Sequence, residues 1–361
     1  MPELPSAIEG FRDEIEAELR ASIPEDADTG PEDAAPGAAS DRSASRLYGM
    51  VRYHLGWSDT DLRPTRAPAG KRLRPVLCLL AAEGVGADHR RALPGAAAIE
   101  LIHNFSLVHD DIMDRSDERH HRRTVWRQWG EAQAIDVGDA ILILAELTLL
   151  RAADRGVSAR SVLDGVALLN RASLRLAEGQ HLDLGFEGKL DVSAEAYFAM
   201  ISGKTAALVA GSLGLGALLG SEDPTLASRY AEVGEELGLA FQIQDDVLGI
   251  WGEPARTGKP GAADVYQRKM TLPVIHALAT ADRAGARELG SIYAASPSPV
   301  TTAQADRALE ILEAAGAREH AARIAEAHYT RALALLEALH PADDAGRNLR
   351  AIAAFLLQRD Y

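Results

Sequence analysis

The chain has 361 residues, 47% hydrophobic and 5% aromatic, with 38 Lys and Arg against 53 Asp and Glu for a formal net charge of −15. A domain of that length buries roughly three quarters of its unfolded surface, so a substantial core is expected. The acidity argues against nucleic acid or an anionic membrane surface as a partner. The single cysteine, Cys78, excludes a disulfide framework and any multi-thiolate metal site, and suits a reducing compartment.

Residues 7–21 read as a short amphipathic helix with Ile8, Phe11, Ile15 and Leu19 three and four apart. The first twenty residues lack the basic start and apolar centre of a signal peptide, which predicts a cytoplasmic protein. Pro24 to Ser40 is rich in Pro, Gly and acids with almost nothing to bury, so residues 1–40 are expected to be a helix and an acidic flexible linker. Residues 41–361 show one composition regime, dominated by Ala, Leu, Glu and Arg, all good helix formers. Gly/Pro breaks fall near 56–70, 84–94, 155–158, 185–193, 220–224, 252–264 and 295–300. Long helices with short connections predict an all-α, single-domain antiparallel bundle. Cys78, inside an apolar run, reads as a small buried hydrophobe. The charge-free stretch Thr205 to Ser221 is short and weakly apolar for a membrane span, so a buried core helix is expected there and no transmembrane segment.

The segment Leu101 to Asp114, LIHNFSLVHDDIMD, ends an apolar helical pattern with three carboxylates in five residues. Positions i and i+4 lie about 40° apart around a helix, which sets Asp110 and Asp114 on one face and Asp111 about 100° round. Acids are unfavourable near a helix C-terminus, so something cationic must compensate. Hard oxygen ligands suit Mg²⁺, which completes its octahedron with water and phosphate oxygens. A second pair, Asp245 and Asp246, ends the helical stretch FQIQDD at 241–246. Two such pairs facing across a bundle cavity could hold a diphosphate between metal ions, which would let an acidic chain bind a polyanion. Cations stand where that ligand needs them: Lys71, Arg72 and Arg74 open a helix, Arg119 to Arg123 follow the first pair, and Lys204, Lys259, Arg268 and Lys269 accompany later helices.

Other motifs fail on inspection. Lys204 and Thr205 imitate the end of a P-loop, but Phe198 stands where its first glycine is required. Gly214 and Gly216 imitate a dinucleotide fingerprint without a third glycine or a βαβ pattern, so helix packing by small residues is expected. His109, His120 and His121 lack a spaced partner set for zinc.

The ordered motifs GKRLRP at 70–75, ELIHNFSLVHDDIMD at 100–114, GKT at 203–205, FQIQDD at 241–246, TGK at 257–259, Asp264 and RKMTLP at 268–273 resemble the trans-isoprenyl diphosphate synthases, or polyprenyl synthetases, which include the farnesyl and geranylgeranyl diphosphate synthases. The resemblance covers residues 41–361. It implies antiparallel helices around a deep cavity, a homodimer, and head-to-tail transfer of the prenyl group of an allylic diphosphate onto isopentenyl diphosphate, with release of the allylic diphosphate group.

Residue by residue, the resemblance implies Mg²⁺ ligands, three ions in all, at Asp110 and Asp114 with Asp111 in support, and at Asp245 with Asp246 beside it. It implies an allylic diphosphate grip by Arg119, Lys204, Lys269 and Lys259, and a homoallylic site at Lys71, Arg74 and His103. Lys204, Thr205 and Gln242 match groups that stabilise the allylic cation. Two positions depart from the pattern: Gly249 replaces a fifth-position aspartate, and His120 replaces an arginine expected at isopentenyl diphosphate. A neutral histidine supplies no permanent charge, so Arg122 or Arg123 must compensate or affinity falls. Phe105 followed by the small Ser106 resembles the pattern of twenty-carbon (geranylgeranyl) synthases, with fifteen-carbon (farnesyl) next. A class I terpene cyclase on the same scaffold and a non-catalytic prenyltransferase subunit remain as alternatives.

Overall fold

The computed structural model describes residues 6–24, 38–67, 70–252, 261–294 and 298–357. The chain opens with α1 (Ser6–Gly10), α2 (Arg12–Ser22), α3 (Ala38–His54), α4 (Leu73–Gly84) and α5 (Leu93–Met113). It continues with α6 (Val125–Trp129), α7 (Glu131–Leu150), α8 (Ala159–Phe186), α9 (Ala194–Ile201), α10 (Ala207–Ser221) and α11 (Pro224–Trp251). Then come α12 (Ala263–Tyr266), α13 (Leu272–Thr280), α14 (Arg283–Tyr293), α15 (Thr302–Ala314), α16 (Ala317–Ala338) and α17 (Asp343–Leu357). The all-α expectation holds, with most breaks where Gly and Pro marked them.

The helices that read as apolar on every side are the central ones. All of Leu93–Ile102 in α5 and Ala207–Leu219 in α10 is buried, as is most of α4. Around them α10 packs on α4, α8 and α11, and α5 packs on α7. Small residues allow this closeness: a Cβ at Gly216 would lie 1.9 Å from the carbonyl oxygen of Cys78, so Gly214 and Gly216 serve helix packing. The helical stretch Ala194–Ser221 is long and apolar enough for a membrane span, yet 78% of its apolar window is buried inside the fold. A smaller apolar cluster joins the end of α11 (Ile243, Val247, Ile250) to α13–α16. Since Val233 and Leu237 of α11 belong to the main cluster, that helix ties the two together.

Two features differ from the sequence reading. The N-terminal helix is split at Phe11 and is built into the body: Ile8, Ile15, Leu19 and Ile23 are buried in the main core. Its Glu18, with a 4% exposed side chain, pairs with Arg151 at 3.0 Å and Arg155 at 2.8 Å. The expected linker at 24–40 falls largely on residues 25–37, outside the described residues. Second, a two-stranded antiparallel ribbon pairs Glu118–Arg119 with Arg122–Arg123. His120 and His121 form its turn at φ 52° and 60°, an arrangement in which Asn-Gly is the usual signal, so no turn motif marks it in the sequence.

Candidate active site

Side chains of α5, the turn after α9 and α11 meet at one end of the bundle. Successive turns of α5 present His103, Ser106, Leu107 and Asp110 to a cavity of about 280 Å³, and α11 faces them with Phe241, Gln242 and Asp245. Lys204 and Thr205 reach it from a single π turn, Ser202–Ala206, a distortion that often marks functional positions. A second lobe of about 480 Å³ shares Leu107, Lys204, Gln242 and Asp245 with the first, and adds Asp183, Tyr197, Asp246, Asp264 and Lys269. The two acidic motifs therefore line one connected space, as their spacing suggested.

The carboxylates divide into two kinds. Asp110 and Asp245 line the cavity, and Asp114 is exposed at the end of α5. Burial, together with Asp114 and Asp111, pushes the Asp110 carboxyl up to about 6 against the pull of Lys204 and Arg119. Asp111 and Asp246 are held by protein partners, although Asp246 also lines the second lobe. Asp111 accepts from Arg119 Nη2 at 2.8 Å and Nε at 3.0 Å, with burial raising its pKa against that pairing. Asp246 accepts from the Tyr197 hydroxyl at 2.6 Å and from Gln242 Nε2 at 2.9 Å. Burial pushes Asp246 up to about 7, although both hydrogen bonds oppose the shift. These bonds orient the Gln242 amide, leaving Oε1 to accept from Thr205 Oγ1 at 2.6 Å.

Lys204 is paired with Asp183; burial works against its charge, but Asp183 and Asp110 outweigh it and the pKa is raised. Of the homoallylic candidates, Arg74 and His103 line the cavity with Asp110, and Lys71 does not. Arg74 Nη1 is 3.3 Å from His103 Nε2, and Lys71 Nζ lies 5.0 Å over the ring of Phe355 from α17. Burial holds His103 well below its ordinary pKa, with Arg74 and Arg119 reinforcing the shift. His120 lines a narrow cleft of about 20 Å³ with His54, Asp111, Arg119 and Arg123. Burial and then Arg119 lower the His120 pKa, which keeps it neutral. Arg122 and Arg123 line the cleft as well, the Arg122 guanidinium pinned by the carbonyls of Tyr53 at 2.8 Å and Ser58 at 2.7 Å.

Other candidates land elsewhere. Arg268 donates to the carbonyls of Ile292 and Ser298 and so props a loop. Phe105 packs edge-on against His109, ring centroids 4.9 Å apart, while its neighbour Ser106 lines the cavity. Lys259 lies outside the described residues. The sequence reading missed Asp183 and Tyr197, which carry no local motif; only the partners Lys204 and Asp246, each at least 21 positions away, reveal them.

The polyprenyl synthetase family model matches residues 60–312. The chain belongs to the polyprenyl synthetase family. It is 39% identical over 89% of its length, and 88% of the relative, to the (2E,6E)-farnesyl diphosphate synthase of Mycobacterium bovis. It is 40% identical over 80% of its length, and 81% of the relative, to the geranylgeranyl diphosphate synthase of Mycobacterium tuberculosis. Among solved structures, a polyprenyl synthetase from Streptomyces coelicolor superposes with a TM-score of 0.84 at 36% identity, covering 98% of this chain and 100% of that one. This polyprenyl synthetase is thus a prenyltransferase with an all-α fold, and its relatives do not favour the terpene cyclase reading.

Proposed function

We propose that this polyprenyl synthetase condenses isopentenyl diphosphate with an allylic diphosphate, head to tail, and that its principal product is geranylgeranyl diphosphate, with farnesyl diphosphate next. One observation carries the reading: Asp110 and Asp245 line a single cavity together with Lys204, Gln242, Arg74 and His103, beside an apolar wall of Leu107, Leu176, Leu208 and Phe241. Acidic, cationic and apolar surfaces in one space suit a molecule with a diphosphate head and a hydrocarbon tail.

The donor set fits Mg²⁺. All the candidate ligands are carboxylate oxygens, and burial with like charge nearby pushes Asp110 up to about 6, a shift that a cation opposes. Among the described residues no three His, Cys, Asp or Glu side chains converge enough to hold an ion alone, so an ion there would take the rest of its coordination from water and diphosphate. Asp110, Asp114 and Asp245 would hold the ions, three with the allylic diphosphate. Bound there, Mg²⁺ would neutralise the leaving diphosphate and so ease cleavage of the allylic C–O bond.

The chain's own residues do the rest. Lys204, Lys269 and Arg119 place fixed positive charge around the allylic diphosphate. Gln242 Oε1 and Thr205 Oγ1, oriented by the Tyr197–Asp246 hydrogen bonds, turn oxygen lone pairs toward the developing cation. Lys71, Arg74 and His103 hold the isopentenyl diphosphate so that its π-bond faces that cation, with Arg123 taking the part that neutral His120 cannot. The departing diphosphate accepts the final proton, so no side-chain base is required. The apolar wall keeps water from the cation.

Small, buried Ser106 supports the longer product. It lies about one turn of α5 before Asp110, along the wall where a growing tail must pass. Exposed Ile135, Ile143, Leu147 and Leu150 on α7 and Leu163 and Leu174 on α8, each at least 47% exposed, support a homodimer through this face. The buried thiol of Cys78 and the buried apolar helix support a cytoplasmic location.

The test supplies purified protein with Mg²⁺, isopentenyl diphosphate and each of dimethylallyl, geranyl and farnesyl diphosphate. Longer linear diphosphates ending at twenty carbons are expected. A hydrocarbon formed from the allylic substrate alone would indicate a cyclase, and silence a non-catalytic subunit. Asp110→Ala is expected to lose at least about a hundredfold in rate, roughly 3 kcal/mol.

A further inference from the structure

Lys204 and Thr205 reach the cavity from the π turn Ser202–Ala206, and such a turn needs holding. The Ala207 N–H donates to the Ser202 carbonyl, five positions back, so the turn carries one residue more than an α-helical one. One residue is worth about 100° of rotation about a helix axis. Since Ala207–Leu219 of α10 is buried throughout, α10 cannot rotate to absorb a relaxation to α-helical bonding, which would instead swing Lys204 and Thr205 off the cavity.

The turn is gripped from both sides. Arg175, Gly179 and Asp183 recur every four residues on one face of α8. Arg175 Nη2 donates to the Ser202 hydroxyl at 2.6 Å and to its carbonyl at 3.3 Å. A Cβ at Gly179 would lie 2.0 Å from the Lys204 nitrogen, and one at Gly203 would lie 2.6 Å from the Arg175 carbonyl oxygen, so the two backbones touch. Asp183 pairs with the Lys204 ammonium. From α11, Glu235 and Gln242 face the turn two helical turns apart. The Glu235 carboxylate accepts from Arg175 Nη2 at 2.9 Å and from the Ser202 hydroxyl, while Gln242 accepts from Thr205. Arg175, Ser202 and Glu235 themselves lie outside both lobes of the cavity.

We infer that Arg175, Ser202 and Glu235 are positioning residues for prenyl transfer, a three-way clamp that holds the π turn and so aims Lys204 and Thr205. The inference rests on the proposal that Lys204 and Thr205 act on the allylic diphosphate and its cation, and adds that a polar contact outside the cavity sets their direction. The Arg175 side chain is 41% exposed and that of Glu235 27%, and a pair so accessible adds little to global stability. Its effect is geometric, because displacing a reacting group by about 1 Å can cost about a hundredfold in rate.

Steady-state kinetics with Mg²⁺, isopentenyl diphosphate and geranyl diphosphate test it, with thermal unfolding as the check on folding. Arg175→Gln and Glu235→Gln are each expected to lower kcat/KM for geranyl diphosphate at least about tenfold. The KM for isopentenyl diphosphate should stay within about twofold, because Lys71, Arg74 and His103 are untouched, and the unfolding midpoint within about 3 °C. Arg175→Lys keeps a cationic donor and should recover to within about threefold of the unaltered protein. In a Lys204→Met/Thr205→Val chain the clamp has nothing left to aim, so adding Arg175→Gln should cost less than about twofold. A loss of about tenfold in that chain, no loss on Arg175→Gln in the unaltered one, or a loss by Arg175→Lys as deep as by Arg175→Gln would each overturn the inference. Where Arg175→Gln does not fold, Ser202→Ala removes only the hydroxyl between the two charges and carries the same comparison, with a loss of about threefold expected. Normal turnover of geranyl diphosphate by Lys204→Met/Thr205→Val, or none by the unaltered protein, would instead overturn the reading of the cavity, and this inference with it.

Discussion

Replacing Asp246 by asparagine isolates the cost of a buried carboxylate in this site. The side chain accepts from Tyr197 and Gln242, yet burial and the nearby Asp264 and Asp245 move its pKa from the ordinary 3.8 to about 7. That displacement corresponds to about 4 kcal/mol against the ionised form in the folded protein, an upper bound because the site can relax. Below about pH 4 the carboxyl is protonated in both folded and unfolded chains and contributes no pH dependence. Between about pH 4 and pH 7 the folded chain holds a proton that the unfolded chain has released, so stability falls as pH rises; above pH 7 the full cost is present. Asparagine keeps the shape without the charge but turns one N–H₂ toward a donor, which returns about 1–2 kcal/mol of the gain. The Mg²⁺-free Asp246→Asn protein is therefore expected to be about 2–3 kcal/mol more stable than the unaltered chain at pH 8, and within about 1 kcal/mol of it at pH 5. Urea unfolding followed by circular dichroism at both pH values measures this. An equal difference at the two values would refute the reasoning. Turnover is expected to drop about tenfold in the same variant, because the Gln242 amide is no longer held with Oε1 toward Thr205.

Arg119→Ala strands Asp111, whose side chain is 3% exposed, while Arg119 itself is 30% exposed; a loss of about 2–3 kcal/mol in denaturant unfolding is expected, and Asp111→Asn in the same chain should restore most of it without restoring activity. Ser106→Phe narrows the cavity wall and is expected to shift the product toward farnesyl diphosphate, whereas Phe105→Ala, on the His109 side, should change product length less; chromatography of the dephosphorylated products distinguishes them. Glu18→Ala leaves Arg151 and Arg155 without their buried partner and should expose the N-terminal helices to limited proteolysis, with about 2 kcal/mol lost in unfolding. Leu147→Glu, on an exposed apolar face, is expected to yield monomers in sedimentation experiments while its helix content is unchanged.

Much of the site is legible without coordinates because its parts are local. Asp110 and Asp114 share a helix face by the period of the helix alone, and the apolar runs of α5 and α10 mark them as central. The acidic motifs, the GKRLRP opening and Lys204 with Thr205 each lie within a few residues, so their chemistry and the family they imply could be read directly. The N-terminal stretch was harder: its apolar stripe was visible, but not that α2 docks on the core through Glu18 and two arginines more than 130 positions away.

What the sequence determined by itself is the class of fold and most of the candidate site residues, since helix propensity, periodicity and short motifs depend on near neighbours. The tertiary structure alone decided which of those groups face the cavity. Asp111 turns to Arg119, Asp246 lines the second lobe while held by Tyr197 and Gln242, Asp110 and Asp245 line the shared cavity, and Asp264 occupies the space that Gly249 leaves. Helical period fixes the angle of a side chain around its own axis, but not the rotation and distance of the helix that packs against it. Those follow from close packing between segments far apart in the chain, where the absence of a single Cβ decides what fits.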